Sequence, residues 1–321
     1  MRVIFLIFFL HLFIKAKSQD IHFSQYNKSS FFINPSILSF QKKQFKFTAI
    51  RRQQWESITT PFKTNSFSLE RKDIVKNISA GVNYLYDIAG DSKFKTTGVS
   101  FSFAYLFEIN NRNNLSLAAS TGFFERTINL DELIFNVPEN QQNLSVFFPD
   151  LNFGITNKFF VNKNLYLING LSIFHLNKPN QSLVDNKTTK LSRKLHIHSD
   201  IKYFINQDLA LQPMFFYSQK ETTKESVFSL QLEYFLNREN HIYLSSMLAY
   251  RYKDAVLCGF GIKINNFECH YTYDINTSSL SRASNGFGGP EVAIVYNWNM
   301  KIKQKNKIKK ETQWEDCPKY L

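Results

Sequence analysis

Some 14 segments of this chain alternate apolar and polar residues, and the connectors between them run long, then short. The register opens with a long connector, Trp55–Lys63, and reaches another, Asn276–Pro290; the short connectors between include Asn110–Asn114, Asn162–Asn164, Asn206–Asp208, Asn237–Asn240 and Asn265–Asn266. Alternation of period two sends successive side chains to opposite faces, so each segment reads as a strand with one apolar and one polar face. An even number of such strands, with tight turns at one end and longer loops at the other, is the pattern of a bacterial outer-membrane barrel whose short turns are periplasmic. The expected fold is all-β, a single transmembrane antiparallel β-barrel over residues 43–299. Its strands fall at roughly 44–53, 63–71, 77–86, 96–108, 114–124, 150–160, 164–174, 193–205, 209–219, 226–236, 240–250, 254–264, 267–275 and 290–299.

The face assignment is clearest in Gly98–Phe107, where Val99, Phe101, Phe103, Tyr105 and Phe107 oppose Gly98, Ser100, Ser102 and Ala104. The same parity sets Ile242, Leu244, Leu248 and Tyr250 against Tyr243, Ser245 and Ala249, and Phe267, Cys269, Tyr271, Tyr273 and Ile275 against Glu268, His270, Thr272 and Asp274. Because a charge on the lipid face costs about 2–4 kcal/mol at mid-bilayer for Arg or Lys, Glu268, His270 and Asp274 are assigned to the lumen. The 33 Phe, 15 Tyr and three Trp exceed what a small soluble core requires and suit a lipid-facing wall with interfacial girdles.

Before the first strand, Arg2 precedes the apolar run Val3–Ile14, and Ala16-Lys17-Ser18 has the small-x-small form of a cleavage site. Residues 1–18 therefore read as a signal peptide, leaving Gln19 or Asp20 first. The competing reading, an anchoring helix, needs about 20 apolar residues. No later run reaches that length. The leader 19–42 and the tail 300–321 lack alternation, so both are expected on or below the periplasmic mouth, which makes both termini periplasmic.

The net charge of +13 is dispersed over turns and loops apart from a cluster at Lys301–Lys310, which holds six lysines and no acid. In an exported chain such charge suits anionic lipopolysaccharide or acidic partners rather than nucleic acid. Cys258, Cys269 and Cys317 are too few for a disulfide framework. Across the Asn265-Asn266 turn, Cys258 would face Tyr273 and Cys269 would face Ile262, so these two thiols are offset.

Four stretches carry a family resemblance. The leader reads Gln19-Asp20-Ile21-His22-Phe23-Ser24-Gln25-Tyr26, then Phe32-Ile33-Asn34-Pro35-Ser36. Next come Arg51-Arg52-Gln53-Gln54-Trp55 and, near the end, Tyr273-Asp274-Ile275-Asn276-Thr277-Ser278-Ser279-Leu280 with Ala283-Ser284-Asn285-Gly286. The chain closes on Cys317-Pro318-Lys319-Tyr320. In this order they resemble the QDPxFSQY, INPA, RxQW, YDxNxSxLxxASNG and CPxF motifs of PorP/SprF proteins, outer-membrane components of the type IX secretion system in Bacteroidota, with Ile21 and Ser36 as departures.

The resemblance implies a non-enzymatic barrel, without cofactor, that supports secretion and surface anchoring of cargo such as gliding adhesins with type B C-terminal domains. It also implies partners among the translocon and periplasmic ring proteins of the PorK and PorN type, alongside outer-membrane lipid. The matching residues are then candidates for partner contact: Phe23, Gln25, Tyr26, Asn34 and Pro35 in the leader; Arg52 and Trp55 at the extracellular end of the first strand; Asp274, Asn276, Ser279, Asn285 and Gly286 near the last loop; Trp314, Cys317 and Pro318 in the tail. The loops Thr127–Pro149, Leu176–Ser192 and Asn276–Pro290 are the expected cargo surface, because recognition resides on loops held by a rigid scaffold.

A porin-like diffusion or uptake channel is the alternative, since about 14 strands can leave a lumen. A hydrolase would need His196, His198 and Asp200, which share one strand face, to meet Ser192 or Ser199, yet Ser199 has lipid-facing parity. A metal at His196 and His198 with Asp200 would need a further ligand and a second layer of support that the sequence does not identify.

Overall fold

A computed structural model describes residues 21–54, 60–90, 93–130, 144–184, 188–237, 241–278, 281 and 286–300. Fourteen strands follow one another: β1 (Phe45–Gln54), β2 (Phe62–Val75), β3 (Ile78–Ala89), β4 (Phe94–Asn110), β5 (Asn113–Ile128), β6 (Leu144–Asn162) and β7 (Leu165–Phe174). They continue as β8 (Lys194–Phe204), β9 (Leu209–Lys220), β10 (Thr223–Asn237), β11 (Ile242–Arg251), β12 (Ala255–Ile264), β13 (Phe267–Asn276) and β14 (Phe287–Trp298). Each pairs antiparallel with its sequence neighbours, and β1 closes the barrel on β14, from Phe45 opposite Trp298 to Arg52 opposite Glu291. Closure leaves no sheet edge for hydrocarbon to meet.

Alternation sorts the walls as the sequence requires. Phe101, Phe103, Tyr105 and Phe107 are exposed outward, while Ser102 and Ala104 are buried toward the lumen. On β13, Phe267, Tyr271 and Ile275 point out; His270, Thr272 and Asp274 point in. Cys258 lies opposite Tyr273 and Cys269 opposite Ile262, the offset expected of them.

The connectors depart from strict alternation. At one end all six hold two to four residues, and two of the four two-residue turns use Asn77 (φ 65°) and Asn265 (φ 54°), a residue type that tolerates the left-handed region. At the other end the connectors after β1, β5, β7 and β13 are long, but those after β3, β9 and β11 hold only two to four residues. The long connectors therefore occupy only part of that rim. Strands β5 and β6 pair from Ile128 opposite Leu144, so the loop expected at Thr127–Pro149 shrinks to 129–143.

The leader is the largest departure. Expected on or below the short-turn mouth, it instead winds through the lumen as a 3₁₀ turn (Tyr26–Lys28), one α turn (Ser30–Ile33) and a 3₁₀ segment (Pro35–Phe40). Its start lies beside Arg52, Asp274 and Glu291 in the long-connector half. Its end packs against Ser116 of β5 and Glu70 of β2 in the short-connector half. Met300 hydrogen-bonds Gln44 at the short-connector end. The described chain thus starts and finishes toward opposite ends of the barrel, where one shared mouth was expected. The reason is solvation: a ring of 14 strands with polar inner faces needs a polar filling, and a short irregular segment has spare backbone groups to provide it.

The signal segment 1–18, Trp55, Ser279, Asn285 and the tail residues Trp314, Cys317 and Pro318 lie outside the described residues.

Candidate functional site: the stoppered lumen

Three seats hold the leader. In the first, toward the long connectors, β1, β11, β13 and β14 contribute Arg52, Arg251, Asp274 and Glu291, all buried. Arg52 Nη2 lies 2.8 Å from Asp274 Oδ2, Arg52 Nη1 is 3.7 Å from Glu291 Oε2, and Arg251 Nη1 is 3.3 Å from Asp274 Oδ2. The leader enters this ion network with backbone and hydroxyl groups. Ser24 N–H and Gln25 N–H donate to the two oxygens of Glu291 at 2.7 and 2.8 Å, Ser24 Oγ donates to Asp274 at 2.6 Å, and Arg52 Nη1 donates to the His22 carbonyl at 2.9 Å. Charge-assisted bonds of this kind are roughly twice as strong as neutral ones. Only barrel closure brings Glu291 beside Arg52.

The second seat is built around Asn34, which has no exposed surface. Its Nδ2 donates to the Ile155 and Leu171 carbonyls at 2.9 and 3.2 Å and lies 3.3 Å from His198 Nε2. Its Oδ1 accepts from Ser36 N–H at 3.0 Å and Ser36 Oγ at 2.6 Å, capping the segment that Pro35 begins. Gly154 and Gly170 make room: a Cβ at the first would overlap Asn34 Oδ1, and one at the second would overlap His198 Nε2. Ser172 Oγ and His196 Nδ1 both hydrogen-bond the Ile33 carbonyl. Tyr26 stacks on Phe216 at 5.1 Å and shares a hydrogen bond with Ser229 Oγ at 3.2 Å; burial raises its phenol above the ordinary value.

The third seat lies toward the short connectors. Ser30 Oγ donates to Glu70 Oε1 at 2.8 Å, Gln41 donates to the other Glu70 oxygen, and Lys46 Nζ donates to the Lys28 carbonyl at 2.8 Å. Leu38, also without exposed surface, packs with Ala104 and Ala118. Burial lowers the Lys28 ammonium below its ordinary value, against the opposing pull of Glu268 and Glu233. Two gaps between leader and wall measure about 20 and 10 Å³, each about one water's room.

Phe23, Gln25, Tyr26, Asn34, Pro35, Arg52 and Asp274, the expected partner contacts, are buried inside the barrel, Arg52 against Asp274 and the leader residues against the wall. In this arrangement their polar groups are engaged within the chain itself. Asn276 and Gly286 remain at the loop base, where Asn276 N–H donates to the Gly286 carbonyl and Gly286 adopts φ 79°. Glu291, Glu70, Arg251 and Ser24 were not singled out from the sequence. Their only signal was lumen-facing parity, or in Ser24 its place inside the first motif.

His196 and His198, the proposed base or metal ligands, contact the leader, whereas Ser199 faces outward and bonds Asn169, and Ser192 bonds Glu221 at the rim. Neither Ser192 nor Ser199 hydrogen-bonds His196 or His198 among the described residues.

The family described as type IX secretion system membrane protein PorP/SprF matches residues 15–288. Among curated proteins none matches the chain by sequence. Solved structures of similar shape include the Ralstonia pickettii toluene transporter TbuX, at TM-score 0.51 and 10% identity over 83% of this chain and 91% of that one. The CymD monoaromatic hydrocarbon channel is similar at TM-score 0.51 and 7% identity, over 84% and 93%. At such identities the likeness is one of fold.

Proposed function

Since the chain belongs to the PorP/SprF family of type IX secretion system membrane proteins, we propose that it is a stoppered outer-membrane scaffold of that system, without enzymatic activity, which supports secretion and surface anchoring of cargo with type B C-terminal domains. One observation carries this reading: the leader occupies the lumen and is held at three levels, by Glu291 and Asp274, by the Asn34 pocket, and by Glu70. A filled barrel leaves recognition to its two ends. In this reading the long connectors after β5, β7 and β13 meet cargo outside the cell, while the short-turn rim and the basic tail meet periplasmic ring proteins of the PorK and PorN type. The same filling speaks against the diffusion-channel alternative.

The test is purification of the tagged barrel from gentle detergent, with cargo or ring proteins expected alongside it. Recovery of the barrel alone would count against the scaffold. Deletion of Met300–Leu321 should leave the barrel inserted but reduce cargo display; normal display would remove the tail from the docking surface.

A further inference from the structure

The outer wall is apolar over most of its area, yet toward the short-turn side, well away from the long-connector rim where Lys95, Thr127 and Ser145 form a polar row, one outward-facing row is polar on three consecutive strands. Asn157 of β6 lies opposite Asn169 of β7, which lies opposite Ser199 of β8. Their parity is that of the outward Phe153, Phe159, Leu171 and Ile197. Ser199 Oγ donates to Asn169 Oδ1 at 2.7 Å, and Asn157 Nδ2 donates to Asn113 Oδ1 and, at 3.4 Å, to the Asn114 carbonyl. Among the described residues this leaves the exposed Asn169 amide N–H groups without an acceptor and Asn157 Oδ1 without a donor.

Asn169 stands four residues beyond Leu165, the first residue of β7. That is about 13 Å along the strand and, at barrel tilt, about 10 Å above the short-turn end, within an apolar band about 25 Å tall. A polar group left unpaired in hydrocarbon costs roughly 2–7 kcal/mol, and acyl chains supply neither donor nor acceptor. Beside the ladder, a groove of about 530 Å³ starts at Ser199 and runs past Ile201 and Pro213 to Tyr250. The groove follows from a break in the β8–β9 ladder: pairing reaches Asp200 opposite Met214 and resumes at Tyr203 opposite Leu211, and Pro213 in the gap has no N–H to give. Two large side chains beside the ladder, Phe153 of β6 and Leu171 of β7, are 42% and 40% exposed.

We infer that this wall binds a second copy of the same chain in the plane of the membrane. The unmet donor and the unmet acceptor sit on neighbouring residues, so two walls related by a two-fold axis complete each other: Asn169 of one copy donates to Asn157 of the other, and the projecting apolar side chains of each fill the other's groove. An isologous contact demands this self-complementarity, and Asn and Ser side chains that hydrogen-bond across transmembrane helices show that such polar pairs hold segments together in lipid. The inference does not depend on the secretion role.

The test uses the full chain in outer membranes, in a background where Cys258, Cys269 and Cys317 are alanine. Asn169→Cys is treated with a bis-maleimide beside Phe103→Cys, an exposed position on β4. A covalent dimer from position 169 and none from 103 is expected. No dimer, equal dimer at both positions, or an adduct with a different protein overturns the inference. Independently, the triple variant Asn157→Leu, Asn169→Leu, Ser199→Val should lower the dimer fraction in native mass spectrometry at least tenfold while the barrel stays folded and heat-modifiable. A folded variant that remains dimeric overturns it as well.

Discussion

Replacing Glu291 by alanine should unseat the start of the leader and leave the rest in place. The carboxylate accepts Ser24 N–H at 2.7 Å and Gln25 N–H at 2.8 Å, both buried. Hydrogen bonds to a charged group contribute about 1.5–3 kcal/mol each, so losing both removes about 3–6 kcal/mol from the closed state of this segment. Arg52 keeps its 2.8 Å pair with Asp274, so the guanidinium is not stranded. The Asn34 and Leu38 contacts lie on separate parts of the wall and should hold. At tenfold per 1.4 kcal/mol, opening of the segment becomes roughly two to four orders of magnitude more frequent. Hydrogen–deuterium exchange of the purified barrel, read on overlapping peptides covering Ile21–Lys28, reports this opening directly. Exchange at Ser24 and Gln25 should accelerate by that factor in Glu291→Ala. Glu291→Gln, which keeps one acceptor oxygen and loses the charge, should fall between. Unchanged exchange in a folded Glu291→Ala barrel would refute the claim that this carboxylate seats the leader.

Deleting residues 21–40 should convert a silent barrel into a steady ion conductor in planar bilayers; a deletion barrel that inserts and stays silent would show that the leader is not the stopper. Gly170→Ala drives a methyl into His198 Nε2 and to 2.8 Å from Asn34 Nδ2, an overpacking that costs about 1–3 kcal/mol and should lower the temperature at which the folded electrophoretic form is lost. Lys28 supplies a pH test. Its folded value lies below the ordinary 10.5, so between the two the unfolded chain binds more protons and stability rises with pH. The leader should therefore tighten as pH climbs toward 10, and Lys28→Met should abolish that slope; above 10 the raised Tyr26 phenol acts in the opposite sense.

The lumen network shows how far side-chain identity carries. Gln25, Asn34, Arg52 and Asp274 stood out through their family-like motifs, but as candidates for external contact, because nothing local separates a residue that meets a partner from one that meets its own chain. Glu291 and Glu70 did not stand out at all: a single acid at lumen parity resembles every other lumen-facing charge until the segment that uses it is in place. The connectors after β9 and β11 also resisted reading, since two- and three-residue turns leave little composition from which to infer a side.

Strand number, the closed antiparallel ring, and the inward or outward direction of each side chain were determined by the sequence alone. Period-two alternation is a local property, and hydrocarbon on one side makes any error of parity costly over a whole strand. The course of the leader was decided only by tertiary structure. Its bonds join residues some 250 positions apart, as between Ser24 and Asp274, and the site they form exists only once β1 has closed on β14. A segment without periodicity carries no local signal of where it will lie, and the wall that receives it is complete only when the barrel is.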